Sequence, residues 1–166
     1  TYLLQGQALQ QAEQWAQGKS LSDLDYQFLA ASQDIERQRI QHLLDTKAES
    51  ERFFRQLAEA VPQIVWIVEP DGSLSYTNQQ GNDFSGLPLE ALMGQQRITV
   101  VHPDDRAASQ AAWEQAHATG EPYEVQLRMR DAEGHYRWFL NRAVPIRDAQ
   151  GQVVKWFGTS TDLDAV

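Results

Sequence analysis

The chain has 166 residues, no cysteine and a formal net charge of −9. That length fits one domain with a sizeable appendage, or two small ones, and the missing cysteine removes disulfides, thiolate metal sites and a thiol nucleophile. The negative balance argues against nucleic acid or an anionic membrane as partner, because phosphate attracts basic surfaces. No apolar run approaches the roughly 20 residues that span a bilayer, and the first residues lack the basic flank and apolar core of a signal peptide. A cytoplasmic piece of a longer polypeptide is expected.

Residues 1–33 predict the start of an α-helical hairpin. Leu4, Ala8, Ala12 and Trp15 recur at helical spacing, one apolar stripe among Gln and Glu. Gly18-Lys19-Ser20 interrupts it. Ser22 then offers an N-cap, Asp25 stands in the first turn and Leu21 can staple against Tyr26. A second stripe runs through Leu24, Phe28, Leu29 and Ile35. Residues 34–61 continue as a long, polar connecting helix. Ile40, Lys47, Phe54 and Val61 share one heptad position, and Leu43, Ser50 and Leu57 the other, a seam that Lys47 and Ser50 weaken. Two readings stay open: a solvated linker, or a parallel dimer helix that carries a signal between modules. Pro62 ends the helix, since the residue before proline is pushed out of the α region.

Residues 62–164 predict an α+β domain. An apolar run at 64–68, a turn at Asp71-Gly72 and alternation at 74–77 read as a hairpin. Both faces of its first strand are apolar, so both faces of the sheet are expected to be covered. Short helices follow, one at 89–93 and a longer one opening at His102-Pro103-Asp104-Asp105 and ending at Gly120. Proline at the first helical position and acids in the first turn suit the positive end of the helix dipole. Trp113 is the one large apolar side chain of that helix and is expected to dock on the sheet. Tyr123, Val125, Leu127 and Met129 then alternate with Glu124, Gln126, Arg128 and Arg130. Turns at 131–134 and 147–151 connect this strand to two more, at 136–146 and 153–161. The product is one five-stranded antiparallel sheet with helices on one face.

The order of these pieces resembles the PAS family of sensor domains. Asn78, Phe84, Gly86, the run His102-Pro103-Asp104-Asp105, Tyr136-Arg137-Trp138, Pro145, Gly151, Gly158, Asp162 and Leu163 carry the resemblance, over residues 53–164. It implies a PAS-like sheet and a non-catalytic sensory module of a larger signal-transduction protein, transmitting changes through its flanking helices. The alternative is a ligand-free dimerisation and docking module. It also implies a homodimer, a small-molecule ligand, and further signalling domains upstream and downstream in the same chain. Gln80 and Gly81 depart from the family's usual small Ala; Gly within a short helix costs about 1 kcal/mol relative to Ala, so an irregular helix is expected there. Asp162-Leu163-Asp164 stands where the family closes on Asp–Ile–Thr. Without cysteine, the flavin–thiol photochemistry of some members is excluded. The turn that carries a haem-ligating His in others holds Arg106, Ala107, Ala108 and Ser109, so haem held in that way is not expected. Residues 1–44 resemble, more faintly, the helical tail after the ATPase module of STAND-type signalling ATPases, through Leu4, Gly6, Leu9, Ala12, Trp15, Leu21, Phe28-Leu29 and Ala31-Ser32. That resemblance implies an upstream NTPase module.

No catalytic or metal constellation emerges. His42, His102, His117 and His135 are scattered; His102 is expected to cap or shape a loop, and Asp104 and Asp105 read as helix-dipole partners. The ligand-pocket candidates are Tyr76, Phe84, Trp113, Leu127, Met129, Asn141 and Arg142. Arg142 shares a strand face with Trp138, Leu140 and Val144, which would point its charge into an apolar interior, where Asn141 or Tyr76 would help it hold the polar end of a ligand. Otherwise it pairs with a nearby acid or turns outward. Trp66, Phe84, Trp113 and Trp138 read as core first and cavity wall second. The resemblance marks Asp162 and Leu163 at the exit, with Phe54 and Leu57 on the incoming helix, as signal-transfer candidates.

Overall fold

A computed structural model describes residues 3–94 and 97–165, in two compact units divided between Phe54 and Arg55. The first contains α1, Gly6–Ala16, and most of α2, Asp23–Ala60. Gly18, at φ 71°, supplies the left-handed turn between them. Asp25 N donates to Ser22 Oγ at 3.2 Å and Ser22 N donates back to the Asp25 carboxylate at 3.3 Å. This reciprocal capping box starts α2 where the sequence places it. Leu4 N donates to Ser32 Oγ at 3.1 Å and Gln33 Nε2 to Glu13 Oε1 at 2.9 Å, pinning the two helices together. Leu9 and Ser32 are the only buried residues among those described in this unit.

The second unit is built on β1 (Ile64–Val68), β2 (Leu74–Thr77), β3 (Tyr123–Arg130), β4 (Tyr136–Arg147) and β5 (Val153–Asp162). They form one antiparallel sheet in the order β2-β1-β5-β4-β3. Between β2 and β3 come α3 (Gln79–Ser85), α4 (Leu89–Met93), α5 (Arg97–Val100) and α6 (Pro103–Thr119). Leu92, Val100 and Ala116 from these helices pack with Leu127, Phe139, Ala143 and Trp156 from the strands. The helices therefore cover one face of the sheet. Trp113 docks as expected, edge-on to Tyr123 and Trp156 with ring centroids 5.4 and 5.1 Å away. No helix among the described residues is long and apolar enough to cross a membrane.

Two local expectations are corrected. The helix through Gly81 is regular: Asn78 caps its start and Gly86, at φ 70°, closes it. A Cβ on Gly81 would overlap Thr77 Oγ1 and press on Ile64, so glycine is there to let the helix lie close against β2 and β1. The outer face of the sheet is not fully covered either. Trp138, Val144, Ile146 and Val154 remain 39–47% exposed.

The acidic start of α6 also does more than complement a dipole. β3 is an edge strand, with backbone groups left over. His102 N donates to Arg128 O at 2.9 Å, and Arg128 N donates to Asp105 Oδ2 at 2.8 Å. The Arg128 guanidinium grips the same carboxylate through Nε and Nη2, both at 2.9 Å. His102 caps the helix with its imidazole, Nδ1 accepting from Asp104 N at 3.1 Å. The His-Pro-Asp-Asp run thus seals the free edge of the sheet.

Candidate functional site

A cavity of about 260 Å³ lies between the sheet and the helices. Its walls are largely apolar, including Ile64, Leu74, Phe84, Leu92, Trp113 and Leu127. On the sheet side of the cavity, Asn141 of β4 stands beside Ser160 of β5 in the wall, and next to them Ala143 stands beside Gly158. Gly158 has no room for a Cβ, since the Trp66 indole lies across it. Trp66 is held flat there by Nε1 donating to Ser160 Oγ at 3.0 Å. The polar groups facing the space include Asn141, Ser109, Gln110, Arg97 and Arg106. Tyr123, also in the wall, shares a 3.1 Å hydrogen bond with Ser109, and burial pushes its phenol pKa up.

Of the residues singled out from sequence, Phe84, Trp113, Leu127, Met129 and Asn141 line this cavity. Two others are placed elsewhere. Arg142 lies on the outer face, where its Nε meets Glu124 Oε2 at 2.7 Å, so the expected inward charge is corrected. The strand points Phe139, Asn141 and Ala143 inward instead, and Trp138 goes outward with Arg142. The more hydrophobic parity of β4 is the solvent-side one, because the inward parity uses small and polar residues that leave space. Tyr76 also faces away from the cavity: its hydroxyl donates to Glu59 Oε1 at 3.1 Å, and burial, with Glu59 second, pushes its pKa up to about 12.

One wall of the cavity is wired to the end of α2. Asn78, wholly buried, spends its entire amide on the backbone: Nδ2 donates to Ala58 O at 2.9 Å and Gln63 O at 2.8 Å, while Oδ1 accepts from Val65 N at 3.1 Å and Gly81 N at 3.3 Å. Glu59 accepts from Gln79 N at 3.0 and 3.1 Å, which satisfies a first-turn amide of α3. Helix α3 presents Gly81, Phe84 and Ser85 to the cavity. Asn78 stood out in the sequence only through resemblance, and nothing there marked Glu59.

At the opposite end of the chain, Asp162 Oδ2 pairs with Arg137 Nε at 3.1 Å and Oδ1 accepts from Asp164 N at 2.8 Å. Asp164 reaches back to accept from Trp138 N at 3.0 Å, and Leu163 N donates to Trp138 O at 2.8 Å. The two acids therefore fasten the exit of β5 to the start of β4. Leu163 and Leu57 are exposed, at 41% and 51%, and Phe54 is half-buried.

Comparison with known proteins agrees with this architecture. A protein of Sinorhizobium fredii, y4lL, is 36% identical over 110 residues, covering 66% of this chain and 13% of its own length. The peroxide stress-activated histidine kinase mak1 of Schizosaccharomyces pombe is 32% identical over 125 residues, covering 70% of this chain and 8% of the kinase. The chain thus spans a small part of the curated relatives it matches. Among solved structures, the N-terminal domain of a diguanylate cyclase with PAS/PAC sensor from Marinobacter aquaeolei superposes with a TM-score of 0.55 at 22% identity, over 61% of this chain and 94% of that one. The model of the PAS fold matches residues 74–160, the stretch from β2 into β5 that supplies most of the cavity wall, and the chain belongs to the PAS fold family.

Proposed function

We propose that residues 55–165 are the sensory, non-catalytic domain of a larger signalling protein, in which occupancy of the cavity alters the two backbone connections at its ends. The observation that carries this reading is the position of Asn78, which bonds at once to Ala58 at the end of α2 and to Gly81 in the helix lining the cavity. A ligand that favours one placement of α3 thereby biases the geometry of the incoming helix, provided it binds the two placements unequally. The exit around Asp162 and Arg137 offers the second connection. Homology to a segment of histidine kinase mak1 supports a place beside a catalytic output module, which in this protein is itself a proposal.

A second reading is a ligand-free dimerisation and docking module. The exposed apolar residues Trp138, Val144, Ile146 and Val154 on the outer face favour it. Native mass spectrometry of the purified chain separates the two: a co-purifying small molecule supports sensing, and a bare dimer supports docking. For the coupling itself, Asp162→Ala in the full-length protein is expected to change its output. The isolated chain should stay folded, because one part-exposed ion pair is worth only about 0–1 kcal/mol. An unchanged output with an unchanged melting curve removes the coupling role of Asp162.

A further inference from the structure

Arginines of the second unit differ in the partners they meet, and two of them stand in the cavity wall. Arg128, Arg137 and Arg142 each meet a carboxylate, at 2.9, 3.1 and 2.7 Å. Arg97 and Arg106, both in the cavity wall, have no carboxylate partner among the described residues. Arg97 donates from Nη2 to Gly72 O and Arg106 from Nε to Val101 O, each at 3.0 Å. A guanidinium has five N–H donors, so most of each fork is uncommitted. No acidic residue lines the cavity among those described, in a chain whose net charge is −9.

Arg106 does not face the cavity by accident of one rotamer. Arg106, Ser109, Gln110 and Trp113 all line it, and they stand at i, i+3, i+4 and i+7 on α6, one continuous helical face. Arg97 stands with exposed Ile98 where the wall opens to solvent, and its bond to Gly72 ties α5 to the β1–β2 turn. Its desolvation lowers its pKa from the usual arginine value, a cost that a bound anion would offset. A third feature lies deeper. Asn141 is 9% exposed, its Oδ1 finds no partner, and its Nδ2 reaches only Met129 Sδ at 3.8 Å. A buried amide oxygen without a partner costs about 1–3 kcal/mol. A hydrogen-bond donor inside the cavity would satisfy it.

We infer that the cavity takes a small amphipathic anion, with its apolar body against Phe84, Trp113 and Leu127, its carboxylate or phosphate on Arg97 and Arg106, and a hydrogen-bond donor on Asn141. The inference rests on the sensing reading and adds the chemistry of what is sensed. The volume of about 260 Å³ lies just below the range of about 300–1,000 Å³ that holds drug-sized molecules, so the ligand is small.

The test is a titration of the whole chain with octanoate, octanamide and ω-hydroxyoctanoate, read by calorimetry and by the fluorescence of Trp66 and Trp113. Octanoate is expected to bind at least about tenfold more tightly than octanamide, as a charge-assisted pair requires. Arg97→Gln and Arg106→Gln should each reduce that preference while leaving octanamide binding intact, which also shows that the variants are folded. ω-Hydroxyoctanoate should bind more tightly than octanoate, and Asn141→Val should remove this gain. Equal affinity for acid and amide overturns the anionic ligand and leaves the sensing cavity standing. Equal affinity for the two acids overturns the part given to Asn141. If none of the three probes binds, the inference fails, while the sensing reading is decided separately by whether a small molecule co-purifies with the chain in native mass spectrometry.

Discussion

Asn78 concentrates more of the fold than any other single side chain here. Its four hydrogen bonds join the end of α2, the approach to β1, β1 itself and α3. Asn is suited to this because one amide offers two donors and two acceptor lone pairs in a plane. Truncation to Ala would strand the buried Ala58 carbonyl and Val65 amide and the part-buried Gln63 carbonyl. Leaving such groups unsatisfied costs about 1–3 kcal/mol apiece, with partial relief from water. We therefore expect Asn78→Ala to destabilise the chain by about 3 kcal/mol in urea unfolding, and to speed amide exchange at Gly81 and Val65. A loss below about 1 kcal/mol would show that the backbone re-satisfies itself. Asn78→Asp is informative beside it, since the carboxylate keeps the acceptors and loses the donors to Ala58 and Gln63.

At the scale of an element, the start of α6 holds the edge strand through Asp105 and Arg128. The Arg128 side chain and backbone N–H hold the Asp105 pKa down at about 2, below the usual aspartate range, with the Arg128 guanidinium the leading cause. The folded pKa lies below the unfolded one, so the folded state binds fewer protons near pH 3. The stabilisation is thus fully present above about pH 4 and is lost as pH falls through about 2. Asp105→Asn should be less stable than the parent at pH 6, and the gap should close between pH 4 and 2. Chemical denaturation at a series of pH values reads this directly. A gap that stays constant down to pH 2 would mean that the clamp acts by shape and neutral hydrogen bonding alone. The same residues explain why the His-Pro-Asp-Asp run looked like ordinary helix capping in the sequence. Capping needs only neighbours along the chain, whereas the clamp needs Arg128, 23 positions away.

Across the whole molecule, burial is uneven. Leu9 and Ser32 are the only buried residues among those described in the first unit, whereas the second has an extended cluster running from Val68 to Trp156. Local stability follows buried apolar area and protected backbone bonds. Amides of α1 should therefore exchange at least about 100-fold faster than those of Phe139, Asn141 and Ala143, a difference of at least about 2.7 kcal/mol in opening free energy. Hydrogen exchange by mass spectrometry with peptide resolution measures it. Equal protection in both would show that the helical unit is stabilised by something other than its own packing.

Local pattern was enough for much of this architecture. Alternation in Tyr123, Val125, Leu127 and Met129, glycines at the turns, Ser22 with Asp25, and Pro103 at a helix start are nearest-neighbour signals, and they placed the strands, the hairpin and α6 without tertiary information. Which parity of β4 faces inward was not legible. Trp138, Leu140 and Val144 outweigh Phe139, Asn141 and Ala143 in hydrophobicity, so the pattern favoured a filled interior over one with room in it. The cavity wall takes Ile64 and Trp66 from β1, Ser160 from β5 and Asn141 from β4, with Trp66 lying across Gly158, relations fixed only by the register of those strands. Glu59 and Arg97 gave no sequence signal, and nothing in the sequence pointed Arg106 at the cavity or paired Arg137 with Asp162, for the same reason. A charged side chain reads as solvated surface until folding shows which charges meet a partner and which face an unfilled space. The chain order determined the elements; the sheet register and the approach of the helices decided what those elements enclose.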